Sequence, residues 1–167
     1  MLTSGGTSAG FQLAQINIAR SVAPTDAPAM AEFMAALDPI NALAESSPGF
    51  VWRLRDDSGN ATSIHVFDDD LIIVNMSVWE SIDALFQFVY SSSHVEYFRR
   101  RREWFERFPT SYLALWWVPA GHIPTIDEAK ERLEHLDAHG PTPLAFTFKQ
   151  RFDPAPSQTS GPRTARR

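Results

Sequence analysis

The chain of 167 residues contains no cysteine. That absence excludes disulfides, thiolate metal sites and a cysteine nucleophile together. No apolar run approaches the roughly 20 residues a membrane-spanning helix needs, so no membrane partner is expected. A basic excess is also missing: the net charge is −5 and the pI near 5.5. Non-specific nucleic-acid binding depends on a basic field and is not expected either. The sequence has no G-x-G-x-x-G, no Walker loop, no G-x-S-x-G elbow and no H-E-x-x-H, so the common dinucleotide, nucleotide, hydrolase and zinc-protease chemistries lack their signatures. The opening MLTSGGTSAG has neither a basic nor an apolar signal region, and a cytoplasmic location is the expectation.

What is present is ordinary for a globular protein: 44% apolar and 21% charged residues. The length suits one domain with a real core. Residues 1–10 (Gly/Ser-rich) and 153–167 (Pro, Ser, Thr and Arg) read as disordered ends around a single domain over 11–152. Five tryptophans and twelve phenylalanines exceed what such a core needs. They suit a flat, hydrophobic small molecule or a buried face between two copies.

Phe11–Ile18 alternates as a strand and puts Asn17 on the side of Phe11 and Leu13. Asn17 is either a strand-end residue or a ligand contact. Thr25 or Asp26 caps a helix with Pro28 in its first turn, and Met30, Phe33, Met34, Leu37, Ile40 and Ala44 form its stripe. Asn41 falls on that stripe near a kink expected at Pro39, where it either satisfies freed carbonyls or meets a ligand. A three-strand meander follows over 50–55, 63–67 and 71–78, with Phe50, Trp52 and Leu54 sharing one face and Asp68-Asp69-Asp70 as a solvated turn. Ser81 caps a helix with Ile82, Leu85, Phe86 and Val89 inward. Tyr112–Val118 is apolar on both sides, as a central strand is. Thr125-Ile126-Asp127-Glu128 is a capping box for the last helix, and Leu144, Phe146 and Phe148 alternate as a final strand. The order β-α-β-β-β-α-β-α-β implies an α+β, ferredoxin-like antiparallel sheet with helices on one face. The bare face then calls for a second copy of the chain, a homodimer.

Between Ser91 and Phe108, about 100° per residue puts Tyr97, Phe98, Trp104, Phe105 and Phe108 on one side of a single helix. The run Arg99–Arg102 then lies mainly on a solvated face, supported by the pairs Glu96–Arg100 and Glu103–Arg107. His94 and Arg101 fall at the centre of the apolar stripe. A buried cation without a partner is very costly, so Arg101 needs a carboxylate, a carbonyl or a ligand, or else snorkels along aromatic surface. His94 is a helix cap after the serines or a pocket residue. His135 and His139 with Glu131 have metal-ligand spacing but point away from the apolar stripe, so no metal site is expected. His122 lies in a proline turn, at a pocket rim or in solvent.

The stretches NALAESSPGFVWRL, NMSVWES, RRRREWFERF, LWWVPAGHIPT and GPTPLAFTF together resemble the domain-of-unknown-function family DUF3291 over residues 11–150. The resemblance implies the dimeric α/β-barrel fold shared with antibiotic-biosynthesis monooxygenases, haem-degrading monooxygenases and chlorite dismutase-like proteins. It implies no activity of its own. Trp79-Glu80-Ser81 followed by His94 resembles the pattern of cofactor-free monooxygenases. Asn17 matches the first-strand asparagine of the haem-degrading branch, but Phe88 stands where that branch has a tryptophan and the histidine is displaced. The expectation is therefore no cofactor, with haem disfavoured.

These readings converge on a pocket walled by Trp52, Trp79, Tyr97, Trp104 and Trp116, with Asn17 and Asn41 as further contacts. In it, His94 is a general base on a phenol or activated C–H and Arg101 stabilises the anion that forms. A monooxygenase, an isomerase and a cyclase all fit that step. The other two readings are a binding module without chemistry, and a structural domain in which these residues serve only the core.

Overall fold

In the computed structural model, residues 10–55, 67–92, 94–107 and 110–154 are described. Among the described residues four strands are formed: β1 (Phe11–Arg20), β2 (Phe50–Arg53), β3 (Ile72–Trp79) and β4 (Leu113–Pro119). Five helices accompany them: α1 (Ala31–Ser46), α2 (Ile82–Ser91), α3 (His94–Arg99), α4 (Arg101–Trp104) and α5 (Ile126–His139). The sheet is antiparallel in the order β2-β3-β1-β4. With α1 between β1 and β2 and α2–α4 between β3 and β4, this is the ferredoxin-like arrangement.

Alternation along the strands divides the sheet into two different faces. On one, Ala14, Ile16, Ile18, Val74, Met76, Val78, Ala114, Trp116 and Val118 are buried against Ala129, Leu133 and Leu136 of α5. On the other, Leu13, Trp79 and Leu115 pack beneath Ala44 of α1 and Leu85 of α2. The expectation of a face bare of helices is corrected to this extent: α5 returns beneath the sheet along β4 and β1. Near β2 that face stays less covered, with Trp52, Leu54, Phe67 and Ile72 only partly buried.

Local chemistry explains most boundaries. The Ser81 hydroxyl accepts from the Ala84 N–H at 3.1 Å and starts α2, and Thr125 does the same for α5 through the Glu128 N–H at 3.1 Å. Neither Thr25 nor Asp26 caps α1. A 3-10 turn over Pro28–Met30 leads into it without a side-chain cap, and the helix runs through Pro39 to Ser46. The expected strand through Phe148 is reduced to a bridge between Leu115 and Phe146, where Ala145 faces one core and Phe146 the other, as successive extended residues do. The expected strand over 63–67 lies outside the described residues apart from Phe67, as do residues 1–9 and 155–167 of the ends expected at 1–10 and 153–167, and the stripe residue Phe108.

The amphipathic segment after Ser91 is two short helices rather than one. The chain turns at Arg100, whose side chain reaches back to Glu32 of α1 at 2.5 Å and forward to Glu103 at 2.6 Å. The expected i,i+4 pairs are thereby replaced by i,i+3 pairs, Glu96–Arg99 and Arg100–Glu103.

Candidate functional site

The face beneath α1 and α2 is polar where an ordinary core would be apolar. Residues opposite each other on neighbouring strands share a face, so the register defines rows across the sheet. The first row is aromatic and aliphatic: Phe50, Trp79, Leu13 and Trp117. The next is Arg53, Ser77, Gln15 and Leu115. The third holds Asn75, Asn17 and Leu113.

Gln15 and Ser77 are buried, at 5% and 7% exposure. Burying such groups is tolerated only when they are hydrogen-bonded, and here they bond to one another. The Gln15 Nε2 donates to Ser77 Oγ at 2.7 Å and to Asn75 Oδ1 at 2.6 Å. The Trp79 indole N–H donates to the same Ser77 Oγ at 2.9 Å. Asn75 is exposed although β3 lies between β2 and β1 in the sheet. The helices therefore leave the floor open at that point. Asn17, its cross-strand partner, is partly buried and has no side-chain hydrogen bond among the described residues.

An aromatic stack links this floor to His94. Trp79 and Phe88 are stacked with ring centroids 5.2 Å apart, and Phe88 meets the imidazole at 5.1 Å. The Ser92 hydroxyl accepts from the His94 backbone N–H at 3.2 Å while donating to the Phe88 carbonyl, so the serine run starts α3 rather than acting as a nucleophile. The imidazole Nδ1 lies 3.3 Å from the Val89 carbonyl. A carbonyl only accepts, so Nδ1 carries the hydrogen and Nε2 presents its lone pair. Burial lowers the His94 pKa, and the Val89 carbonyl opposes this only in part. A neutral imidazole with Nε2 free is the form a general base needs.

The remaining candidates divide. Arg101, at the start of α4, finds its partner three residues back: its guanidinium donates to the Phe98 carbonyl at 2.9 Å and covers the Phe98 ring at 4.3 Å. Tyr97 and Trp104 approach each other at 6.2 Å, and Trp104 packs against Phe33 of α1. Asn41 is partly buried on α1, one turn before Glu45. Trp52 and Trp116 do not join Trp79. A bulge between Phe50 and Trp52 turns Trp52 to the α5 face, and Trp116, paired with Ala14, faces the same way. His122 is exposed and pairs with Glu128 at 3.2 Å, away from the floor. His135 is held by Thr142 at 2.9 Å. Among the described residues no three His, Asp or Glu side chains form a metal-binding group.

Sequence reasoning missed Gln15, Arg53, Asn75 and Ser77. Their alternation with Ile16, Trp52, Met76 and Val78 was visible, but the pairing that sets them side by side was not. A cleft of about 360 Å³ lies elsewhere, between α2 and the turn after α1, lined by Ser47, Gly49, Glu80, Asp83, Phe88 and Ser92. It meets the site at Phe88 and Ser92.

The model of the family described as a domain of unknown function, DUF3291, matches residues 12–162. No curated protein matches the sequence. Among solved structures, SnoaB, a cofactor-independent oxygenase from Streptomyces nogalater, is similar at 18% identity and a TM-score of 0.42, over 67% of this chain and 95% of that one. Rv0793 from Mycobacterium tuberculosis is similar at 16% identity and a TM-score of 0.43, over 68% of this chain and 99% of that one. A protein of unknown function from Nitrosomonas europaea overlaps at 13% identity and a TM-score of 0.41, over 70% and 97% of the two chains.

Proposed function

The chain belongs to the DUF3291 family, and from that premise we propose that it is an enzyme removing a proton from a flat, hydrophobic small molecule held between the sheet and helices α1–α4. The observation that carries this reading is the polar floor left open at Asn75 beneath otherwise apolar helices. Such a floor costs stability in a core, but it suits a ligand with an apolar ring and a few hydrogen-bonding substituents. In this proposal the ring lies against Phe88, which Trp79 backs from within the core, and the amides of Asn17 and Asn75 take its polar groups. His94 Nε2 accepts the proton of a phenol or activated C–H, and the electron pair stays on the substrate as phenolate or enolate. Arg101, with one nitrogen held by Phe98, faces the developing charge with the rest of its fork. The carbanion then has three outcomes: with O2 and the proton it gives a hydroperoxide that loses water, as in a monooxygenase; it takes its proton back at another carbon, as in an isomerase; or it bonds to a carbonyl carbon of the same molecule, whose oxygen takes the proton, as in a cyclase. No cofactor is required for the proton transfer.

The test reads the shared step directly. A panel of planar phenols and enolisable polycyclic ketones is incubated in heavy water, and deuterium incorporation is followed by NMR. Wild-type protein should accelerate exchange and His94→Ala should lose the acceleration while unfolding at the same temperature. Equal rates in the two proteins would defeat the proposal. Oxygen consumption during turnover then separates the monooxygenase from the isomerase.

A second reading, binding without chemistry, draws on the way Gln15, Ser77, Asn75 and Trp79 already bond to each other. Tight binding with no exchange would select it, and a haem absorbance in the purified protein would name its ligand. We also place a homodimer in the proposal, with the second copy covering Trp52, Leu54, Phe67 and Ile72.

A further inference from the structure

Arg53 is the one cationic side chain that the paired register sets in the floor rows. It lies directly across from Ser77 and therefore on the same face, beneath α1. Its side chain is only 12% exposed, whereas that of its carboxylate partner, Glu45 of α1, is 41% exposed. The contact runs through Nε, 2.8 Å from Glu45 Oε1. Among the described residues the two terminal nitrogens have no partner. A guanidinium buried to this degree with one half-exposed carboxylate is under-compensated. Its geometry is that of a fork: one edge is anchored by Glu45, and the terminal nitrogens remain for a planar pair of oxygens. Ser77 stands across from Arg53, Gln15 follows it in the same row on β1, and Asn75 lies in the next row of the same face. Glu45 balances the charge of Arg53, and what the floor offers a ligand is the guanidinium's terminal N–H groups.

We propose that Arg53 is a specificity-determining residue that binds a carboxylate carried by the aromatic substrate, with Glu45 as the positioning residue that orients its guanidinium. This deepens the proposed function and rests on that reading of the cleft. It assigns the substrate class: a planar aromatic acid, its ring toward Trp79 and its carboxylate in the Arg53–Ser77 row. Glu45 also sets selectivity, because its own charge at the rim opposes anions that cannot reach the fork.

The test compares 2-naphthoate with 2-naphthamide, which share ring and shape and differ in charge, by isothermal titration against the full chain. Wild-type protein should prefer the carboxylate by about 10- to 100-fold, the range for a charge-assisted pair. Arg53→Met should remove that preference while leaving the amide's affinity unchanged. Arg53→Lys, which keeps the charge but not the fork, should retain only a small part of it, and this variant carries the test if Arg53→Met does not fold. Amide and carboxylate binding equally to wild type, or an undiminished preference in both variants, overturns the assignment of Arg53 alone. Failure of both probes to bind overturns the cleft reading as well.

Discussion

Ser77→Ala removes a single oxygen that two buried donors share. Gln15 Nε2 keeps its second acceptor, Asn75 Oδ1 at 2.6 Å. The Trp79 indole N–H keeps none among the described residues, and with Trp79 at 1% exposure no bulk water reaches it. Leaving one buried donor unpaired costs about 1–3 kcal/mol, and the small cavity left by the hydroxyl adds little. A loss of about 2 kcal/mol corresponds to a fall in Tm of roughly 4–8 °C for a domain of this size. Urea unfolding followed by circular dichroism gives the free energy, and an unchanged m-value shows that only stability moved. The decisive control is Trp79→Phe, which deletes the donor. In that background Ser77→Ala should cost about 1–2 kcal/mol less, since nothing is left to orphan. A single-variant cost below about 0.5 kcal/mol, or an identical cost in both backgrounds, would refute the idea that the floor is held together by this shared acceptor.

Four further outcomes follow from the same structure and proposal. Burial holds the His94 pKa below its ordinary value, so between that native value and about 6.5 the unfolded chain binds more protons and stability should rise with pH; His94→Gln should flatten this slope, and a wild-type profile flat across that window would contradict the burial. The proposed base should likewise stay active below pH 6.5, with the acid limb of kcat/KM lying lower than for a free imidazole. Gly49 has φ +84° and an added Cβ would stand 2.5 Å from the Ala84 Cβ, so Gly49→Ala should cost at least about 1–3 kcal/mol, with Ala84→Gly restoring only the part due to the clash. For the homodimer, native mass spectrometry should show a two-copy mass that Trp52→Glu splits, and a monomer in wild type at micromolar concentration would remove that proposal.

Legibility differed sharply between strands and pairings. Phe11–Ile18 alternates strictly, and it is found as a strand, extended to Arg20. Ser81 and Thr125 act through hydroxyls whose spacing from the following N–H is fixed by the chain itself, so both helix starts were readable. Period two gives the sides of a strand but not which side is shared with a neighbour. LALWWVP is apolar on both sides, so nothing local assigns Trp116 to the α5 core and Trp117 to the helix side. The bulge after Phe50 reverses the assignment of Trp52 for the same reason. The break at Arg100 was hidden because its contact to Glu32 spans 68 residues of sequence, through most of α1, β2, β3 and α2. His94 was visible as a polar residue in an apolar stripe, but its stacking on Phe88 depends on the turn at Ser92.

The two sides of the sheet carry unequal burdens, and this explains why the polar floor is sustainable. On the α5 side, the nine strand residues from Ala14 to Val118 are apolar and at most 4% exposed. Burial contributes about 25 cal/mol per Å² of apolar surface, so that side alone supplies a large favourable term. The helix side contributes less, since Gln15, Ser77 and Asn75 occupy positions where Leu or Ile would bury more apolar area. A domain of this fold without α5 would have to recover that difference elsewhere, either in an all-apolar floor or in a partner. Replacing Gln15 and Ser77 together by apolar residues should then stabilise the protein, because a satisfied polar pair is removed whole rather than orphaned, although Trp79→Phe must accompany the change to spare the indole N–H. Stability gained together with loss of ligand binding is what separates a floor kept for function from one kept for folding.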